Sequence, residues 1–115
     1  MKFMVMVKSK ENAGAPPQAL MDAIGKLGEE AARLGTLVTM GGLAPTAMGT
    51  RVSLRRGSMN VTDGPFAEAK EVVGGYAVYE LKSKQEAIDA TLRFLELHKQ
   101  HWPGWEGECE IRQLF

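Results

Sequence analysis

The chain is short of several things, and each shortage removes a class of protein. Cysteine is reduced to Cys109 alone, so no disulfide can close within the chain and no paired-cysteine metal or redox motif exists. That composition suits a reducing compartment, and a cytoplasmic location is expected. Charge of one sign is not in excess: 14 basic side chains face 14 acidic ones. No global field therefore draws the chain to nucleic acid or to an anionic membrane, and neither partner is expected. Arg51, Arg55, Arg56 and the scattered lysines form no dense basic block, and no RNP1-like aromatic pattern marks an RNA-binding sheet. Long apolar runs are missing too. The N-terminal run Phe3 to Val7 ends at Lys8 without a small-residue cleavage site, so it reads as a strand rather than an export signal, and nothing nears the length of a bilayer span. The glycine pairs Gly41-Gly42 and Gly74-Gly75 belong to no nucleotide-binding motif, and no cofactor is expected.

What is present reads as one domain over residues 1–115, enough chain for a single core. Phe3 to Val7 is a strand apolar on both faces. Beyond a polar loop, Leu20, Ile24, Leu27, Ala31 and Leu34 draw one apolar stripe along a first helix. Pro16 and Pro17 suit its first turn and Gly35 its end. Gly25 and Gly28 within it each cost about 1 kcal/mol relative to alanine, which points to a close backbone neighbour or a loose helix. Leu37 to Leu43 is a second strand, with a bulge expected at Gly41-Gly42. Thr50 to Arg55 and Met59 to Thr62 are the arms of a hairpin around Arg56-Gly57-Ser58. Val73 to Leu81 is the longest strand. Ser83 with Glu86 is a capping box that opens a second helix, whose stripe is Ile88, Leu92 and Leu95. Pro103 ends that helix, and Glu110 to Phe115 is the last strand.

This order predicts an α+β fold, a ferredoxin-like sandwich with an added β-hairpin. Phe3 and Val7 face away from Met4 and Met6, and Tyr76 and Val78 face away from Ala77 and Tyr79. Both sheet faces are thus apolar, while two helices can cover only one. A second copy packed sheet against sheet would cover the other, so a homodimer is expected.

The densest stretch is Asp63 to Glu71, followed by Gly74-Gly75-Tyr76. Asp63 can cap its own turn. Held at the lip of a cleft by the stiff Gly64-Pro65 pair, it can also act as a base or bind a polar substrate. Phe66 reads as the anchor that pins the loop. Glu68, Lys70 and Glu71 form either a solvated face or, through Lys70, an ammonium aimed at an anionic ligand. Arg51 and Arg55 share one strand face, which is a solvent edge or an anion-binding wall. His98 and His101 read as exposed imidazoles that favour the helix C-terminus. A metal there would need Glu106, Glu108 or Cys109 as a third ligand, and none is expected. Trp102-Pro103-Gly104-Trp105 reads as a loop that folds its aromatics over the sheet or a dimer interface.

Thr62 to Glu71 with Gly74-Gly75-Tyr76 resembles the signature of the YCII-related proteins of the DGPF type. The likeness extends to Met1-Lys2-Phe3-Met4, Glu29 to Gly35, Lys82 to Ala87 and Glu110 to Phe115. The resemblance implies a dimeric α+β barrel with a cleft between helices and sheet. It also implies two kinds of role. One branch is thought to use a His-Asp pair with its histidine on helix one, and includes an enzyme that removes chloride from a chlorinated hydroquinone. DGPF members also resemble companions of extracytoplasmic-function sigma factors. Helix one here has no histidine, and Ile24 stands at the matching position; Asp63 matches the DGPF aspartate.

The candidate site is therefore the loop, with Asp63 as general base and Arg51, Gly64, Pro65, Phe66, Lys70 and Tyr76 around a small-molecule ligand. Two functions compete for it. One is a lyase or isomerase acting on a hydroxylated aromatic, with Lys70 or Arg51 stabilising anionic charge. The other is a non-catalytic ligand-sensing or regulatory module linked to sigma-factor signalling.

Overall fold

In a computed structural model, which describes residues 1–66 and 70–115, the apolar N-terminal run becomes strand β1 (Lys2–Ser9). The chain continues through α1 (Gln18–Arg33), β2 (Leu37–Gly42), β3 (Thr50–Arg55), β4 (Ser58–Asp63), β5 (Val72–Glu80), α2 (Lys84–His101) and β6 (Gly107–Gln113). Four strands join in the order β2-β5-β1-β6, every pair antiparallel, and β3 and β4 form a separate two-stranded sheet. The fold is α+β with two helices; among the described residues the sheets stay open and close no barrel.

Alternation along β1 decides the layers. Phe3 pairs with Tyr79 and Val5 with Ala77 on the face beneath the helices, where they are only 2 % and 5 % exposed. Met4 pairs with Val78 and Met6 with Tyr76 on the opposite face, where all four are half-buried. From above, α1 sends down Leu20, which is 0 % exposed.

Pro17 immediately precedes α1, and its carbonyl accepts from the N–H groups of Leu20 and Met21. The helix ends at Gly35 as expected: with φ +75°, Gly35 donates to Ala32 O and Thr36 to Ala31 O, the paired bonds of a Schellman motif. Gly28 has the close neighbour its cost implied, a side chain rather than backbone: a Cβ there would lie 2.7 Å from Met40 Sδ. Around Gly25 the space is open.

Three expectations need correction. The β2 bulge falls between Leu37 and Thr39 rather than at Gly41-Gly42; a second irregularity, opposite Val7 and Lys8, leaves Gly74 of β5 out of register. The inward line of α2 is Ala87, Thr91 and His98, while Leu92 of the expected stripe is 59 % exposed. Small side chains let α2 settle close, and the Thr91 hydroxyl is satisfied by donating to Ala87 O at 2.8 Å. The last strand starts at Gly107 and not Glu110, because its outward carboxylates belong to the ladder: Lys8 Nζ lies 2.8 Å from Glu110 and 3.6 Å from Glu108. The capping box at α2 is present, with Ser83 Oγ accepting from Glu86 N–H at 3.2 Å.

The β3–β4 hairpin has two unlike faces. Val52 opposes Val61 and Leu54 opposes Met59 on one, while Arg51, Ser53, Asn60 and Thr62 lie on the other. The four apolar side chains are between 66 % and 78 % exposed. The whole chain is correspondingly extended. Its radius of gyration is 15.8 Å, against about 13 Å for a compact chain of this length. Its accessible surface is 8247 Å², against about 6200 Å² for a folded monomer of this mass.

Candidate functional site

The Asp63–Phe66 loop is built where β4 leaves the hairpin. Asp63 stands opposite Thr50, whose hydroxyl donates to Asp63 Oδ1 at 3.0 Å. The carboxylate is exposed, and its other oxygen has no hydrogen-bond partner among the described residues. One residue on, Gly64 N–H donates to Gly49 O at 2.8 Å, which carries the ladder into the loop. A Cβ on Gly64 would collide with the Thr46 carbonyl, so only glycine fits. The Gly64-Pro65 peptide is cis.

Thr46 opens a single 3-10 turn (Thr46–Met48), and both its N–H and its hydroxyl donate to Glu11 Oε1, at 3.0 and 2.9 Å. One carboxylate thereby ties the loop to the segment that follows β1. Phe66 is half-buried, and the Arg51 guanidinium sits 3.9 Å from its ring centroid, a cation–π contact. The anchoring expected of Phe66 thus has a concrete partner.

Of the candidate residues, Asp63, Gly64, Pro65, Phe66 and Arg51 lie in this one assembly. Tyr76 is placed on the outer face of the main sheet with its ring against Gly41, where a Cβ would lie 3.2 Å away. Lys70 and Glu71 are exposed, and the rest of the expected charged turn, Glu68, lies outside the described residues.

Two of the concavities on the described surface are lined by none of the candidate residues. One, of about 280 Å³, lies between the helices and the sheet, lined in part by Leu27, Ala31, Tyr79, Glu86 and Arg93. Burial pushes the Tyr79 hydroxyl pKa up, and the Arg93 charge partly offsets that. The other, of about 630 Å³, lies beyond the end of α2 between Trp102, Trp105, Lys10 and Glu71. The sequence reading missed it as a cleft, although both tryptophans falling in one short Pro-Gly turn was the available signal.

The histidines are not the exposed pair that spacing suggested. His98 is 6 % exposed. Its Nδ1 faces Phe94 O at 3.1 Å and must donate to it, and its ring lies 4.7 Å from Phe94 and 4.4 Å from Trp105. Burial lowers its pKa, with the Phe94 bond opposing, so the ring is neutral at pH 7. Proximity to the helix dipole lost to desolvation here. Cys109 is half-buried, and burial, helped by the Glu108 charge, pushes its thiol up to about 11. It is therefore a protonated, weak nucleophile at neutral pH. Among the described residues no group of His, Cys, Asp and Glu is arranged to hold a metal. Among the described residues no helix is long and apolar enough to cross a membrane.

A search of curated protein sequences gives no match. The family model of the YCII-related domain, in contrast, matches residues 1–93, a span that includes α1, the hairpin, the Asp63–Phe66 loop and the start of α2. The chain belongs to the YCII-related domain family.

Proposed function

We propose that this protein is a homodimeric, cytoplasmic small-molecule-binding domain of the DGPF type, with a ferredoxin-like subunit and its ligand held at the Asp63–Phe66 loop. The strand order β2-β5-β1-β6 with two helices on one face supports the ferredoxin-like plan. Dimerisation is supported by surface. The chain exposes roughly 2000 Å² more than a folded monomer of its mass should, and a standard interface takes about 800 Å² from each partner. The half-buried Met4, Met6, Tyr76 and Val78 and the bare apolar face of the hairpin are the surfaces a second copy would cover.

One observation carries the ligand site. Thr50 pins the Asp63 carboxylate through one oxygen and leaves the other open, on a loop braced by Gly49, Thr46 and Glu11. That is a fixed acceptor for a ligand hydroxyl or amine. Among the described residues its hydrogen-bond partner is Thr50 and not an imidazole; His98 is held between Phe94 and Trp105, and His101 likewise stands in the last turn of α2. Binding for sensing or regulation therefore fits better than proton transfer. The lyase or isomerase reading, with Asp63 as base and Arg51 or Lys70 opposing anionic charge, is the second reading, and the open oxygen favours it.

Amide chemical shifts followed during titration with hydroquinone test the site. Saturable movement of Thr50, Asp63 and Gly64 is expected, lost in Asp63→Asn at unchanged melting temperature. A falling melting temperature with binding intact would make Asp63 a loop cap and end the proposal; turnover of hydroquinone would promote the second reading. A monomer in sedimentation at micromolar concentration would remove the dimer.

A further inference from the structure

Both tryptophans of the chain line one cleft, of about 630 Å³, which none of residues 63–66 lines. That volume falls within the range of small-molecule sites. The two indoles are held by a Pro103-Gly104 turn, with Gly104 at φ +86° and Trp105 N–H donating to Trp102 O at 3.1 Å. Their rings stack at 6.1 Å with 30° between planes. Trp105 is braced from two further directions. The His98 ring packs 4.4 Å away, and the indole lies so close over Gly107 that a Cβ there would come within 2.5 Å of it. An aromatic surface fixed on several sides loses little freedom when something binds to it.

The rim supplies charge. Glu71, Glu106 and Lys10 border the cleft, and among the described residues none of their three side chains has an ion-pair or hydrogen-bond partner. Two free carboxylates thus face one free ammonium. The neighbouring Glu108 and Glu110 differ, since Lys8 engages both. Indole faces carry negative quadrupole density that attracts cations, and the carboxylate excess adds to that attraction.

From this geometry we infer that the cleft binds a small organic cation of the alkyl- or quaternary-ammonium class, its charge over Trp102 and Trp105 and toward Glu71 and Glu106. The site is separate from the Asp63–Phe66 loop and does not rest on the function proposed for that loop.

Because the only two tryptophans sit in the cleft, intrinsic fluorescence reads occupancy directly. The chain is titrated at constant ionic strength with choline, with its uncharged tert-butyl isostere and with glucose. Choline should give a saturable change, with the isostere at least about 5-fold weaker. Glu71→Gln and Glu106→Gln, at exposed positions, should each weaken choline by about 3-fold, and Trp102→Ala should abolish the response while Trp105 still emits. An equal response to the isostere, a preference for glucose, carboxylate variants that bind choline unchanged, or no saturable change with choline would each overturn the inference.

Discussion

Phe3 and Val5 in β1, and Val52 and Leu54 in β3, carry the same alternating signal, yet the first pair is buried and the second stands in solvent. The difference is the layer above. Leu20 and the small residues Ala87 and Thr91 bring helices down on the main sheet, whereas the hairpin pairs only with itself in a separate two-stranded sheet. Isolated two-stranded hairpins are marginal in water, so the arm is held by less than the sandwich is. Period-two patterning identifies a strand and its apolar face; it does not say which molecule covers that face.

Truncation at the two places should give the largest contrast. Leu20→Ala removes a side chain with no exposure and should cost about 3 kcal/mol, read as a lower urea midpoint. Leu54→Ala, measured on dilute monomeric chain, should stay within about 0.5 kcal/mol. Equal losses would mean that the hairpin is packed within its own chain, and the comparison would break.

The next effect reverses the emphasis. If the proposed dimer forms through the hairpin, Leu54→Asp, which introduces a charge into the bare apolar face, should raise its dissociation constant by about 100-fold, measured by sedimentation equilibrium. Leu92→Asp, on the equally exposed flank of α2 (59 % for Leu92), should leave association nearly unchanged. If the Leu92 variant dissociates and the Leu54 variant does not, the second copy sits on the helices.

Much of this contrast was legible in the sequence. The hairpin arms, the Gly35 stop and the Ser83 cap follow from turn and cap chemistry local to a few residues, and the structure places them within a residue or so. What local chemistry cannot carry is choice between competing faces. Ile88, Leu92 and Leu95 are the most apolar line on α2, but Ala87 and Thr91 win because smaller side chains permit closer approach. His98 follows them into the interior, where desolvation outweighs the dipole that favoured an exposed imidazole. At the candidate site, Asp63 and Gly64 were readable as a turn. Their bracing by Thr50, Thr46 and Glu11 was not, since Glu11 and Thr46 are 35 positions apart.

His98 also provides a pH test of the sandwich half. Burial lowers its folded pKa below 6.5, so the unfolded chain takes up the proton first as the solution is acidified. Its effect on stability is therefore absent above the unfolded pKa; stability is lost as pH falls through that value toward the folded one. Thermal melts between about pH 7.5 and pH 5.5 should show this decline, flattened in His98→Asn. A slope unchanged by the substitution would mean that His98 protonates without cost, and that the packing between Phe94 and Trp105 is looser than its distances indicate.

The smallest effect separates two glycines on one helix and asks how tightly the sandwich is built. Neither has a positive φ, so alanine is compatible with the backbone at both. At Gly25 nothing lies within 4 Å of a new Cβ, and Gly25→Ala should gain about 1 kcal/mol from helix propensity alone. At Gly28 the same methyl would stand 2.7 Å from Met40 Sδ. Methionine is flexible and can move its sulfur, but Met40 then gives up part of its contact between α1 and β2. Gly28→Ala should consequently end near zero, with the propensity gain offset by repacking. Melting temperatures of the two variants decide the matter: a clear rise for Gly25→Ala alone places the helix–sheet contact at Gly28. Equal rises would show that Met40 moves freely, and that this edge of the sandwich is held as lightly as the hairpin.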